Sequence, residues 1–329
     1  MMKKILPILL GLALLFSLAA CAAGPAPAQT DAAAEKLSVV TTIFPEYDWL
    51  RQIVGETGGV ELTLLLDRGV DLHSYQPSVD DIVKISTCDL FVYVGGVSDE
   101  WVEDVLEDAA NPAMRVVNLL EVLGDAVKEE EIVEGMEAEH DHDHEDEEEG
   151  PEYDEHVWLS LKNAAAFCRA LAGELGALDG ANKAAYEANA AAYIEKLEAL
   201  DGAYAAAVES ASRKTLLFAD RFPFRYLVDD YGLSYYAPFA GCSAESEASF
   251  ETVLFLANKV DELGLNCVLQ IESADGSIAK TVCDTAKSGN IRVLTMDSLQ
   301  SSTLEDARNG VEYLSVMEKN LTVLKEALG

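Results

Sequence analysis

The chain has 329 residues, half of them apolar, and sets 59 acidic side chains against 23 lysines and arginines, a formal net charge of −36. That length accommodates two domains of ordinary size, each with its own core. A surplus of acid this large excludes nucleic acid and anionic lipid headgroups as partners, because both require basic patches, whereas an acidic surface attracts cations.

The first elements concern export. Lys3 and Lys4 precede an apolar run over residues 5–16, and Leu18-Ala19-Ala20-Cys21 is a small-residue cleavage region, so residues 1–20 read as a signal peptide. Leu-Ala-Ala-Cys also looks like a bacterial lipobox, which makes Cys21 the lipidation site and places the protein outside the cytoplasm, anchored to the cell membrane. Residues 21–36, rich in Ala and Pro without apolar periodicity, read as a flexible tether. No later stretch is long and apolar enough to span a bilayer.

From residue 37 strands and helices alternate. Residues 37–44 are β-rich and run into Pro45, a good helix opener, with a helix to residue 54. The continuous apolar run 60–66 suits a strand covered on both faces. Ser78-Val79-Asp80-Asp81 has the form of a capping box before a short helix. Residues 89–94 and 115–119 read as further strands, with a helix over 99–109 between them. This alternation predicts a parallel α/β lobe over residues 37–180. Within it, residues 129–155 are dominated by Glu, Asp and His with no apolar face, and read as a mobile loop. Structure resumes at residue 156, with a helix over 161–178.

An Ala-rich helix follows over residues 181–211, with Asp179 placed to cap it and Tyr186, Tyr193, Leu197, Leu200 and Tyr204 along one stripe. At about 45 Å it suits a rigid strut, so residues 181–212 are assigned as a linking helix. Strands over 215–219, 234–237, 267–271 and 292–296 alternate with helices over 222–231, 249–263, 277–287 and 304–328, a second α/β lobe over 213–329. The fold class is therefore α/β: two parallel-sheet lobes bridged by one long rigid helix, with a cleft between them.

All five histidines suit a metal. His140, His142 and His144 alternate with Asp inside the acidic loop and form a candidate weak, multi-site collector of metal. His73, in Gly69-Val70-Asp71-Leu72-His73-Ser74-Tyr75-Gln76-Pro77, falls in the loop at the C-terminal end of a buried strand, where open α/β sheets bind ligands. His156, in Asp154-Glu155-His156-Val157-Trp158-Leu159, sits between the acidic loop and an apolar anchor. Either alone is a weak signal, since a lone loop histidine is ordinarily just exposed. The pair is stronger, because both lie at the edge of the same lobe. Besides Cys21, five cysteines remain, an odd number that leaves at least one thiol without a disulfide partner. No His-Glu-x-x-His or other compact catalytic motif occurs, which argues against the rival reading of a secreted zinc hydrolase and for a protein that is not an enzyme.

Thr42-Ile43-Phe44-Pro45, the segment around His73, Glu100-Trp101 and Glu155-His156-Val157-Trp158-Leu159 together resemble the metal-binding receptors of bacterial zinc and manganese ABC importers. The match runs from about residue 37 to the C-terminus, and the His-rich acidic loop marks the zinc branch. The resemblance implies a lipid-anchored, monomeric receptor that captures Zn2+, with Mn2+ the alternative ion, and delivers it to an ABC permease. Some relatives double as surface adhesins or metal buffers. It also implies ligands from four places: His73, His156, a His or Glu opening the second lobe, and an acidic residue near the last strand, matched by Asp297. The third place departs from the pattern, because counting along the segment puts Arg221 there, and a guanidinium cannot ligate a cation. Asp220 is the leading substitute, with Cys242, Glu245 and Glu272 as the alternatives. Two imidazoles with one or two carboxylates suit zinc, while manganese prefers more oxygen.

Overall fold

In the computed structural model, residues 36–137, 152–243 and 247–329 are described. Cys21, His140, His142, His144 and Glu245 lie outside them. The first half is a four-stranded, wholly parallel sheet of β1 (Leu37–Thr41), β2 (Val60–Leu64), β3 (Leu90–Tyr93) and β4 (Arg115–Asn118), in the order β2-β1-β3-β4. Its helices are α1 (Phe44–Val54), α2 (Val79–Thr87), α3 (Trp101–Glu107) and α4 (Leu119–Leu123). The expected box at Ser78 caps α2, its hydroxyl accepting from Asp81 N. At the start of α1, the buried Glu46 carboxylate accepts from Thr42 N at 2.9 Å and Ile43 N at 3.2 Å, which ties the Thr-Ile-Phe-Pro segment to the first turn.

Two helices follow, α5 (Leu161–Leu178) and the 28-residue α6 (Lys183–Ser210). Asp179 organises the α6 start indirectly: Asn182 is the cap residue, and the Asp179 carboxylate accepts from Asn182 N at 3.2 Å and from the Tyr186 hydroxyl at 2.9 Å. The second half contains β5 (Thr215–Leu217), β6 (Arg221–Phe222), α7 (Arg225–Tyr231), β7 (Ser234–Tyr236), β8 (Phe239–Ala240), α8 (Phe250–Leu263), β9 (Cys267–Ile271), α9 (Ser277–Thr285), β10 (Arg292–Met296), α10 (Leu304–Arg308) and α11 (Tyr313–Leu328). β10 pairs with β9 and β5 with β7, all parallel, and a parallel bridge from Phe218 to Leu269 joins the two pairs. The resulting order β7-β5-β9-β10 repeats the winding of the first half. A short parallel pair, β6 with β8, carries the loops that approach the first half.

α6 packs against α1 and α5 on one side and α7 and α11 on the other, so it touches both halves. The larger of two apolar cores runs through both; in it Trp49 lies tilted against Phe167 (centroids 5.5 Å) and edge-on to Tyr313 (5.2 Å). Buried polar contacts also cross between the halves: Tyr313 OH donates to Trp158 O at 2.6 Å, and Trp158 Nε1 donates to Ser298 O at 2.9 Å. Leu37–Gly329 is accordingly one compact unit. Among the described residues no helix is long and apolar enough to cross a membrane.

Three expected boundaries shift for local reasons. The helix read over 222–231 starts only at Arg225, because Arg221–Phe222 pair as β6 and Pro223 intervenes. The closing helix splits into α10 and α11 at Asn309-Gly310, where Gly310 takes a φ of +87°. The described ends of the acidic segment are ordered: Glu129 bridges Tyr153 in antiparallel fashion, Glu130 N donates to Glu152 O at 2.9 Å, and Val133 and Met136 pack on the core.

Candidate metal centre

His73 lies in a single 3-10 turn, Leu72–Ser74, whose start is capped by Asp71 Oδ1 accepting from His73 N at 3.1 Å. His156 precedes a second such turn, Val157–Leu159, and is fully buried. Asp154 Oδ1 accepts from His156 N at 2.8 Å and stands 3.1 Å from His156 Nδ1. A proton on Nδ1, directed at that acceptor, is the tautomer that exposes the Nε2 lone pair to a metal ion. At His73, Nδ1 is 2.7 Å from Ser98 Oγ and 3.4 Å from Glu155 Oε2, groups that fix the ring orientation.

His73 Nε2 and His156 Nε2 face each other at 3.2 Å. One ring donates to the other across that gap, the direction set by the tautomers. Zinc–nitrogen bonds of about 2.0–2.1 Å set tetrahedral ligands roughly 3.3 Å apart, so the pair already has the spacing that such an ion needs. Burial, reinforced by the neighbouring His156, pushes the His73 imidazole pKa down to about 3. His73 is therefore neutral near pH 7, as a metal ligand must be, and Asp71 at 4.0 Å from its Nε2 is not an ion-pair partner.

Close approach depends on two glycines. Gly96, at φ +86°, turns the chain so that Ser98 N donates to Glu155 Oε1 at 2.8 Å, and a Cβ at Gly96 would collide with that carboxylate. Gly241 brings the loop after β8 against His156, where a Cβ would fall 2.8 Å from His156 Cε1 and 2.9 Å from Phe222 O.

The second half contributes three further groups. Arg221 Nη2 donates to Asp71 Oδ2 at 2.6 Å. The Asp71 carboxyl is raised by burial but lowered more by the Arg221 charge and hydrogen bond, and it ends below its ordinary range. Gln300, with its amide nitrogen turned toward Asp71 (3.1 and 3.0 Å), sets its oxygen 3.2 Å from His156 Nε2, an acceptor for that nitrogen in the tautomer that protonates it. Cys242 is the third: the ligand atoms of His73, His156 and Cys242 all lie within 4.8 Å of one another, and no other His, Cys, Asp or Glu among the described residues joins such a group.

The carboxylates read from sequence are placed elsewhere. Asp220 is turned onto two backbone N–H groups, Oδ1 accepting from Arg221 N at 2.9 Å and Oδ2 from Ile271 N at 3.3 Å, and burial raises its pKa. Asp297 Oδ1 accepts from Leu299 N at 2.8 Å; burial and then the neighbouring Glu272 raise its pKa to about 6. Glu272 accepts from Ser298 N at 2.7 Å and from the Ser298 and Ser301 hydroxyls, both at 3.0 Å. The structure thus brings His73, His156 and Cys242 together and leaves Asp220, Asp297 and Glu272 outside the group. Gln300 had no sequence signal, while Asp71 carried a faint one, its spacing two residues before His73.

Residues 39–327 match the family described as ZnuA, zinc-uptake complex component A, periplasmic. Over 329 residues the chain is 35% identical to the zinc-binding lipoprotein AdcA of Streptococcus pneumoniae, covering 99% of this chain but 61% of that protein. It is 32% identical to the high-affinity zinc uptake system protein ZnuA of Bacillus subtilis, covering 94% of this chain and 93% of that one. Among solved structures it is similar to the Zn(II)-bound ZnuA-like domain of pneumococcal AdcA (32% identity, TM-score 0.69, 89% of this chain and 99% of that one). It is also similar to the metal-dependent lipoprotein YcdH of B. subtilis (28% identity, TM-score 0.70, 89% and 99%). The match in sequence over nearly the whole described body, on the same two-lobed α/β fold, shows that this chain belongs to the ZnuA family.

Proposed function

We propose that the chain is an extracytoplasmic receptor that captures zinc between its two halves and delivers it to an ABC permease. The observation that carries the reading is the pair of imidazole Nε2 atoms held 3.2 Å apart, with Ser98 Oγ and Asp154 Oδ1 beside the two Nδ1 atoms. The family and the names of the relatives support zinc as the cargo over manganese, and so does a nitrogen-rich site. The division into lobes at residues 37–180 and 213–329, joined by a linking helix over 181–212, agrees with the two repeated sheets. A lipid anchor at Cys21 and a monomeric state complete the proposal. The role proposed is binding and release of the ion, in keeping with a family described as a component of zinc uptake.

His140, His142 and His144 are proposed as a weaker, separate collector. Their segment joins the described body at Glu137, whose N donates to Pro238 O at 2.9 Å, and at Glu152, whose O accepts from Glu130 N at 2.9 Å. The test is a competition titration of the metal-free protein with zinc and manganese. Zinc should bind at least ~100-fold more tightly in one tight phase, followed by a weak phase that deletion of residues 139–149 removes. Equal affinity for the two ions, or a tight phase lost with that deletion, would reject the assignment.

A further inference from the structure

Arg221 stands where the resemblance expects a third ligand, and its guanidinium is committed to Asp71. The neighbouring carboxylates are committed as well: Asp220 to two backbone N–H groups, Glu272 to Ser298 and Ser301, and Asp297 to Leu299 N. Cys242 is the group that meets both imidazoles within 4.8 Å.

We propose that Cys242 is the third protein ligand of the bound ion, giving a two-nitrogen, one-sulfur centre. The proposal rests on the reading of His73 and His156 as zinc ligands. Three features hold the thiol in place. Gly241, lacking a Cβ, lets the loop lie against His156. Cys242 N donates to Glu130 Oε1 at 3.2 Å, which fixes the backbone from the first half. Arg221 Nη1 donates to Ser243 O at 3.5 Å and fixes it from the other side. Binding breaks the S–H bond, forms a metal–sulfur bond of about 2.3 Å and releases the proton to solvent. Closing a 4.8 Å triangle onto tetrahedral edges requires roughly an ångström of side-chain movement. A soft thiolate donor also selects zinc against manganese more sharply than a carboxylate does.

Cobalt(II) substitution in the full chain tests this. At one equivalent of Co2+, the wild-type protein should show a sulfur-to-cobalt charge-transfer band in the near ultraviolet. Cys242→Ala and Cys242→Ser should both lose it, and their zinc affinity should fall at least ~tenfold. Thermal unfolding of the metal-free variants checks that they fold. Absence of the band in the wild-type protein, or a folded Cys242→Ala variant with unchanged spectrum and zinc affinity, overturns the proposal. His73→Ala serves as the control for the underlying reading. If His73→Ala loses zinc and Cys242→Ala does not, the thiolate alone is wrong. If neither variant loses zinc, the whole centre is wrong.

Discussion

Arg221 and Asp71 meet at 2.6 Å although 150 residues separate them, joining the β6 edge of the second half to the turn that carries His73. Asp71 Oδ1 at the same time caps that turn through His73 N. One carboxylate therefore orients a proposed ligand and ties it to the opposite half. The arginine, which cannot itself ligate, takes a structural part in the centre.

The first prediction concerns this pair. Both side chains are mostly buried, and removing one leaves the other uncompensated. Arg221→Ala should destabilise the metal-free protein by about 1–3 kcal/mol, and the double variant with Asp71→Ala should cost less than the sum of the singles. Denaturant unfolding of the four proteins measures the coupling. Strict additivity would mean that the contact contributes nothing to joining the halves.

A second prediction follows from His73 and concerns pH. In the unfolded chain this imidazole takes up a proton near pH ~6.5, whereas in the folded protein burial and His156 delay uptake to about pH 3. Between those values the unfolded state binds more protons, so the metal-free protein loses stability as pH falls from about 6.5 toward 3. Asp297, raised to about 6, works in the opposite direction, because the folded state binds its proton first. The contribution of His73 is therefore read as a difference. His73→Gln should lose less stability than wild type between pH 7 and pH 5, and parallel stability curves for the two proteins would contradict the buried neutral imidazole.

The third prediction concerns Gly241. A methyl group there would press on the His156 ring and on Phe222 O. Gly241→Ala should push the loop away and weaken zinc binding at least ~tenfold, since small displacements of a supporting group cost metal sites about that much. Calorimetric titration checks it, and wild-type affinity would show that the loop does not need to sit against His156.

The repeating strand–helix order and the 28-residue helix were legible because each is encoded locally, by an apolar run, a helical stripe or a cap. The α5 boundaries agree at both ends, since Ser160 caps the start and the apolar period runs out at Leu178. The strands β6 and β8 were not legible, because two-residue pairs have no periodicity. The third group at the centre was obscure for a different reason. Asp220 sits beside Arg221 in sequence, but its direction is decided by Ile271 N, 51 residues away. Cys242 reaches His156 only because Gly241 lies flat against the ring, a tertiary fact with no local pattern.

The central claim is that His73 and His156 share one zinc ion. The most direct measurement is the zinc affinity of the full chain, by competition with a chelator of known strength, for the wild type, each His→Ala variant and the double variant. Each single change should weaken the tight phase at least ~tenfold, and the double change should abolish it while leaving the weak phase in place. A double variant that binds its first zinc within about threefold of wild type would contradict the account.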